Sequence, residues 1–299
     1  MELARLTTEQ RNLQSMNMDQ MSTEEILRLI NDEDKKVAFA VEKVIPQVEM
    51  AIERISEVLS NGGRLFYIGA GTSGRLGVMD ASECPPTFMT PPDMVQTVMA
   101  GGNNAVFESV EGAEDNEAQG ATDLDVKGIT EQDVVVGITA SGRTPYPIGA
   151  LKYARGLGAY TISLSCNENP LISSFADCPI EVVVGPEVLT GSTRMKAATA
   201  HKMILNMIST AVMVKNGKVY ENLMVDVCAN NHKLKERAKR NIMEITNVSY
   251  EKAEEILQQT NYQVKPAIVV IKTGVSVQEA RVAIEKCNGY VRTAIEKLS

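Results

Sequence analysis

The stretch that most constrains this chain is an apolar run, Leu65-Phe-Tyr-Ile68, that ends in Gly69-Ala-Gly71-Thr-Ser-Gly74 and enters a helix-like run near Arg75. An unalternating apolar run of this length, bounded by glycines, reads as a strand buried on both faces. A glycine turn leading into a helix start leaves backbone N–H groups free at the positive end of the helix dipole. The combination makes an anion site, and the hydroxyls of Thr72 and Ser73, just before Gly74, add donors. The glycine spacing alone also matches a dinucleotide fingerprint. That reading asks for an acidic residue at the end of a second strand about 20 residues on. Here the region is Pro85-Pro86-Thr-Phe-Met-Thr-Pro91-Pro92, which cannot be a central strand. A sugar phosphate or similar monoester suits the turn better, and a purely structural turn is the other alternative.

The rest of residues 63–216 repeats the theme. Further strands are predicted at Val95–Met99, Val134–Thr139, Tyr160–Ser165 and Ile180–Val184. Helices are expected after Gly74, around Phe107–Asp115, over Pro147–Gly156 and from Ser192 to Lys215. Short apolar strands alternating with helices predict an α/β doubly wound sheet covered on both faces, with ligands outside the carboxyl ends of the strands. Those ends are rich in hydroxyls. Ser141, Gly142, Arg143 and Thr144 form a second glycine turn, Ser163 and Ser165 close another strand, and Ser192, Thr193 and Lys196 stand at the start of the last of these helices. Helix capping explains each cluster singly; together they predict one polar site for phosphate and sugar hydroxyls.

Flanking regions read as scaffold. Residues 1–62 comprise a polar arm to about residue 22, a capping box Ser22-Thr-Glu-Glu25 that starts a short helix over Ile26–Ile30, and an apolar stripe from Val37 to Leu59 that predicts a long helix over Asp32–Ser60, kinked at Pro46. Residues 217–240 form a basic connection, expected to be helical. Residues 241–299 read as a small unit of three helices, with the run Ala267–Ile271 open to a helix or a strand reading.

A formal charge of −8 argues against a nucleic-acid surface, so anion selectivity has to come from local donors. No signal-peptide core and no apolar run of membrane-spanning length occurs, so the chain is expected to be cytoplasmic and off the membrane. The five cysteines are odd in number and lack a C-x-x-C pair, as for reduced thiols. Two histidines without a ligand pattern predict no metal site. Two acidic residues stand out: Glu83 in Asp80-Ala-Ser-Glu-Cys-Pro-Pro86, and Glu114 in Glu111-Gly-Ala-Glu-Asp115. Each reads singly as a solvated helix terminus. Flanking a phosphosugar pocket, they could serve as acid and base.

These segments carry a resemblance that runs nearly end to end. Leu6-Thr-Thr-Glu9-Gln-Arg-Asn12, Ile68-Gly-Ala-Gly-Thr-Ser-Gly-Arg-Leu-Gly77, Asp80–Pro86, Glu111–Asp115, Ala140-Ser-Gly-Arg-Thr144 and Leu189-Thr-Gly-Ser-Thr-Arg-Met-Lys196 closely resemble the bacterial N-acetylmuramic acid 6-phosphate etherases, of the sugar-isomerase (SIS) fold superfamily. The resemblance implies a mainly parallel, five-stranded SIS-type sheet and cleavage of the lactyl ether of N-acetylmuramic acid 6-phosphate by elimination and then hydration, in cell-wall amino-sugar recycling. It implies Glu83 as proton donor and Glu114 as the second acid/base, without metal or redox cofactor. It also implies a homodimer with the site near the subunit interface, and a C-terminal unit like a ubiquitin-associated domain. An aldose–ketose isomerase on the same fold and a non-catalytic sugar-phosphate sensor are the rival readings. One geometric tension follows. Nine helical residues from Gly74 to Glu83 span about 13.5 Å, longer than a hexose phosphate. Either the segment bends back before Asp80, another loop holds the phosphate, or, as favoured here, Glu83 serves a neighbouring subunit's pocket.

Overall fold

The computed structural model describes residues 6–227 and 232–299. Cys228 and the first five residues of the arm lie outside them. The chain divides into two compact units, residues 1–81 with 93–209, and residues 82–92 with 210–299.

In the first unit five parallel strands form one sheet: β1 (Leu65–Gly69), β2 (Val95–Met99), β3 (Val134–Ile138), β4 (Tyr160–Ser165) and β5 (Cys178–Glu181), in the order β2-β1-β3-β4-β5. Every residue of β1 and β3 is buried, as their unalternating apolar composition predicts. The chain steps from β1 outward to β2 and then returns past β1 to β3. Connections therefore diverge at the carboxyl ends of β1 and β3, which opens a crevice there. The last strand lies earlier than the Ile180–Val184 expected. Its register ends at Ser165 opposite Glu181, and the Val182 N–H makes one more bond, to the Ser165 carbonyl at 2.8 Å, where β4 ends.

Helices cover both faces, the doubly wound arrangement expected. On one side Phe66, Ile68 and Val135 pack with Leu124, Ile148 and Leu151, under α4 (Glu117–Val126) and α5 (Pro145–Gly156). These two helices meet at backbone contact. A Cβ on Gly120 would overlap the Tyr146 carbonyl, and one on Gly149 the Glu117 carbonyl. On the other side lie α3 (Gly71–Phe88) and α6 (Lys196–Lys215). Gly77 brings α3 close to β1, since a Cβ there would stand 3.0 Å from the Tyr67 Cβ. Tyr67 and Ser209 both donate to the Asp80 carboxylate, at 3.0 and 2.9 Å. Burial nonetheless pushes the Asp80 pKa up.

Two helical expectations need correction. The helix started by the Ser22–Glu25 capping box, which is formed, is not short but runs on as α1 (Thr23–Glu42), and the long kinked helix expected over Asp32–Ser60 is divided between α1 and α2 (Ile45–Ser60). Pro46 lies in the first turn of α2, where a missing N–H costs nothing. No helix forms at Phe107–Glu111. Gly112 takes a left-handed φ of 72°, leaving one 3-10 turn at Ala113–Asp115, and the Asn116 side chain then caps α4.

The second unit contains a two-stranded ribbon, β6 (Val219–Tyr220) and β7 (Leu223–Met224), then α7 (His232–Thr246), α8 (Tyr250–Gln259), α9 (Val264–Thr273), α10 (Val277–Lys286) and α11 (Val291–Leu298). Ala238, Ile242, Leu257, Ile268 and Ala294 belong to its core. The connection expected to be helical begins as the ribbon. The ambiguous run at Ala267–Ile271 is helical, so four helices lie beyond Tyr250 where three were expected. Among the described residues no helix is long and apolar enough to cross a membrane.

Candidate active site

The crevice at the β1/β3 divergence is a cavity of about 390 Å³ within the first unit. Its wall combines Gly71, Thr72 and Ser73 at the start of α3, Ser141, Arg143 and Thr144 after β3, Gly191 and Thr193 before α6, and Glu9, Glu114 and Asp115. Three of the four hydroxyl-rich strand ends therefore meet. The fourth does not. Ser163 and Ser165 are wholly buried, their hydroxyls without a hydrogen-bond partner among the described residues.

The first turn is built by close approach. Gly71 has a φ of 53°, and a Cβ on Gly74 would stand 2.7 Å from the Gly69 carbonyl oxygen. Glycine at 74 lets the helix begin directly over the strand end, and Gly71, Thr72 and Ser73 of its first turn line the crevice, where a helix start offers N–H donors to an anion. The second turn is held from inside. The Thr139 hydroxyl bonds the Thr144 hydroxyl at 2.8 Å and that of Ser141 at 3.3 Å, and the Ser141 hydroxyl accepts from the Arg143 N–H at 3.2 Å. Gly142 has a φ of 69° and packs so closely on Pro170 that a Cβ would overlap that ring.

Asn167, just past β4, fastens this turn to the N-terminal segment. Its buried amide donates to the carbonyls of Ala140 (3.0 Å) and Ser141 (3.2 Å) and to the Thr8 hydroxyl (3.1 Å). The Thr8 N–H returns a longer bond to the Asn167 side-chain oxygen, 3.4 Å. The arm that reads as polar and peripheral is thus docked, with Leu6, Thr8 and Asn12 buried and Glu9 on the cavity wall.

The cavity brings together Thr72, Ser73, Ser141, Arg143, Thr144, Thr193 and Glu114 of the expected residues. Gly74 and Gly142 shape its turns without lining it, and Ser192 is off the wall. Lys196 is directed elsewhere. Its ammonium, 2% exposed, pairs with Glu33 of α1 at 2.5 Å. Burial alone would raise the Glu33 pKa, but Lys196 and Lys36 together hold it below its ordinary value. The backbone N–H groups of Lys196 and Ala197 are capped by the buried carboxylate of Glu187, at 3.0 and 2.9 Å. Glu83 is exposed and not on this wall. Helix α3 runs unbroken from Gly71 to Phe88, so the bend before Asp80 is absent and about 13.5 Å of helix axis separates Gly74 from Glu83. Sequence reasoning missed Glu9, Asp115, Gly191 and Asn167. Glu9, Asp115 and Gly191 do lie within segments that carry the family resemblance.

A profile described as the glucokinase regulatory protein N-terminal SIS domain matches residues 47–155, and the SIS domain profile matches residues 114–211. The N-acetylmuramic acid 6-phosphate etherase of Bacillus subtilis (strain 168) is 57% identical, over 98% of this chain and 97% of its own. That of Clostridium botulinum (strain Loch Maree / Type A3) is 52% identical, over 99% and 98%. Among solved structures, a phosphoheptose isomerase from Francisella tularensis superposes with a TM-score of 0.51 at 18% identity, covering 65% of this chain and all of its own, a likeness of fold alone. Near-complete coverage at more than half identity, on a sheet whose divergence point carries the hydroxyl-lined cavity, decides the matter: the chain belongs to the N-acetylmuramic acid 6-phosphate etherase family, built on the SIS fold.

Proposed function

We propose that this protein cleaves the D-lactyl ether of N-acetylmuramic acid 6-phosphate to N-acetylglucosamine 6-phosphate and D-lactate, within cell-wall amino-sugar recycling. The observation that carries the reading is the meeting of an anion cradle with a carboxylate: the Thr72–Ser73 helix start and the Ser141–Thr144 turn share a wall with Glu114. The cradle takes the phosphate through backbone N–H groups and hydroxyls, with Arg143 supplying positive charge. Ring opening of the sugar gives an aldehyde at C1, which acidifies the proton on C2. Glu114 takes that proton, the C2–H electron pair becomes the C2=C3 double bond, and the C3–O bond breaks. The departing lactate oxygen takes a proton from Glu83. Water then adds across the double bond, its oxygen to C3 and a proton to C2, which restores both carboxyl groups. No step calls for a metal or redox cofactor.

Glu83 acts here in the pocket of a second copy of the chain. That reading is supported by the helical distance from Gly74 and by exposed large apolar side chains on α1 and α2, among them Leu27, Phe39 and Met50. Among the described residues Cys84, Cys166, Cys178 and Cys287 are buried and form no disulfide, which accords with a reducing, cytoplasmic setting.

Lactate release from N-acetylmuramic acid 6-phosphate, with and without its 6-phosphate, tests the assignment. Glu114→Gln should lower kcat by roughly 10²–10⁴-fold, the usual worth of an acid–base group, while product binding persists. Turnover of fructose 6-phosphate or glucosamine 6-phosphate in place of the ether would return the protein to the isomerases. Mixing Glu83→Ala chains with Ser141→Ala/Thr144→Ala chains should recover part of the lost activity; no recovery would place Glu83 in its own subunit's pocket.

A further inference from the structure

A second cavity, also of about 390 Å³, adjoins the first. The two share Ala70, Gly71 and Glu114, so Glu114 stands at the seam between them. The second cavity differs in character. Met99, Ala100, Ala105 and Val110 give it an apolar wall, and Arg75 supplies a cation. Arg75 is half-buried. It is fixed by two bonds to the 106–108 loop, Nε to the Val106 carbonyl at 2.9 Å and a terminal nitrogen to the Glu108 carbonyl at 3.0 Å. A guanidinium carries five N–H donors. The remaining ones have no protein partner among the described residues, and no carboxylate there pairs with Arg75. A fixed guanidinium with donors to spare beside an apolar wall fits a small group that carries one carboxylate and one methyl.

We propose that this second cavity is the lactyl subsite, in which Arg75 binds the carboxylate of the leaving group and the apolar wall takes its methyl. The inference rests on the etherase reading and deepens it. The substrate has three arms: a phosphate, a neutral N-acetyl group and an anionic lactyl ether. The hydroxyl-lined cavity suits the first. The third is the arm whose chemistry matches Arg75. With the sugar in one cavity and the lactyl arm in the other, the C2–C3 bond lies at the seam, beside the carboxylate assigned to take the C2 proton. Glu108 and Glu111 also border the second cavity, but both are exposed. Water screens their charges more than that of the half-buried guanidinium. Arg75 is thereby the residue that selects an ether bearing a free acid.

The experiment compares two substrates: N-acetylmuramic acid 6-phosphate, and its lactamide, in which the carboxylate is a neutral carboxamide. A hydrogen bond to a charged group is worth enough that the wild-type protein should prefer the acid by about 10–100-fold in kcat/KM. In Arg75→Gln that preference should collapse to within about threefold, because the acid loses its partner while the amide loses little. Equal slowing of both substrates with the preference intact would overturn the proposal, as would a wild-type protein indifferent to the charge. A second variant guards against a loop disturbed by loss of the Arg75 bonds. Ser109 is exposed and borders this cavity alone of the two, so Ser109→Trp should block it. Lactate release should be lost while affinity for N-acetylglucosamine 6-phosphate stays within about twofold. Unchanged release, or weakened binding of this product that lacks the lactyl arm, would each place the arm elsewhere. If the wild-type protein releases lactate from neither substrate, the etherase reading itself fails and the subsite with it.

Discussion

The buried Lys196–Glu33 pair offers the sharpest separation of a structural role from a binding role. The ammonium and carboxylate are 2.5 Å apart, with side chains only 2% and 4% exposed, and Glu33 is also bonded by the more exposed Lys36. The two single replacements should therefore differ. Glu33→Gln leaves the buried Lys196 ammonium without its carboxylate, at a cost of about 3–5 kcal/mol. Lys196→Met leaves Glu33 still paired with Lys36, so the loss is nearer that of one charged hydrogen bond, about 1.5–3 kcal/mol. The double variant removes both charges and should be more stable than Glu33→Gln alone. The sign of the pH dependence follows from the depressed Glu33 pKa. The pair's contribution is present above the ordinary carboxylate pKa and fades as pH falls through the lower folded value, and it is absent from the double variant. Urea unfolding, with hydrogen exchange at α1 and α6 amides as the local probe, reads all three. Lactate-release kinetics provide the control. If Lys196→Met left stability within about 0.5 kcal/mol, the ordinary range for surface changes, yet raised KM for the phosphorylated substrate many-fold, the lysine would be a phosphate ligand and the argument from burial would be wrong.

Other consequences are as accessible. Gly142→Ala places a Cβ against Pro170 at a left-handed φ. It should cost about 1–3 kcal/mol and, by deforming the Thr139–Thr144 hydroxyl cluster, depress kcat/KM more than a stability loss of that size explains; thermal melts and kinetics on one sample would tell. His201 is fully buried beside Cys166, its Nε2 3.3 Å from the thiol sulfur, and burial lowers its pKa to about 4. The unfolded chain binds the imidazole proton first, so stability should fall as pH drops from about 6.5 toward 4, by on the order of 3 kcal/mol. His201→Phe should flatten that part of the stability–pH curve, and an unchanged slope would assign the acid sensitivity to other groups.

The sheet was legible because its two central strands β1 and β3 are apolar runs between glycine and polar turns, and because fully buried parallel strands need no alternation. The cradle was legible for a related reason: hydroxyls and glycines cluster locally, within a few residues of each strand end. What could not be read depends on distant partners. Lys196 sits in a run of hydroxyls and looks like a phosphate ligand; only Glu33, 163 residues away, turns its charge inward. Glu9 belongs to a polar arm with no apolar period, and its place on the cavity wall follows from the neighbouring Thr8 docking on Asn167. Phe107–Asp115 has enough helix-forming residues to suggest a helix. The left-handed Gly112 and the cap at Asn116 move the helix past it instead, and Phe107 is left 89% exposed.

The Asn167 clip also has a consequence for biosynthesis. Thr8 is made well before its partner, which lies 159 residues further along the chain. At roughly 5–20 residues per second the arm waits about ten to thirty seconds before Asn167 even exists. Closure of so long a loop is entropically expensive and comes after local pairings. The cavity wall at Glu9 is therefore completed only after most of the sheet has been synthesised.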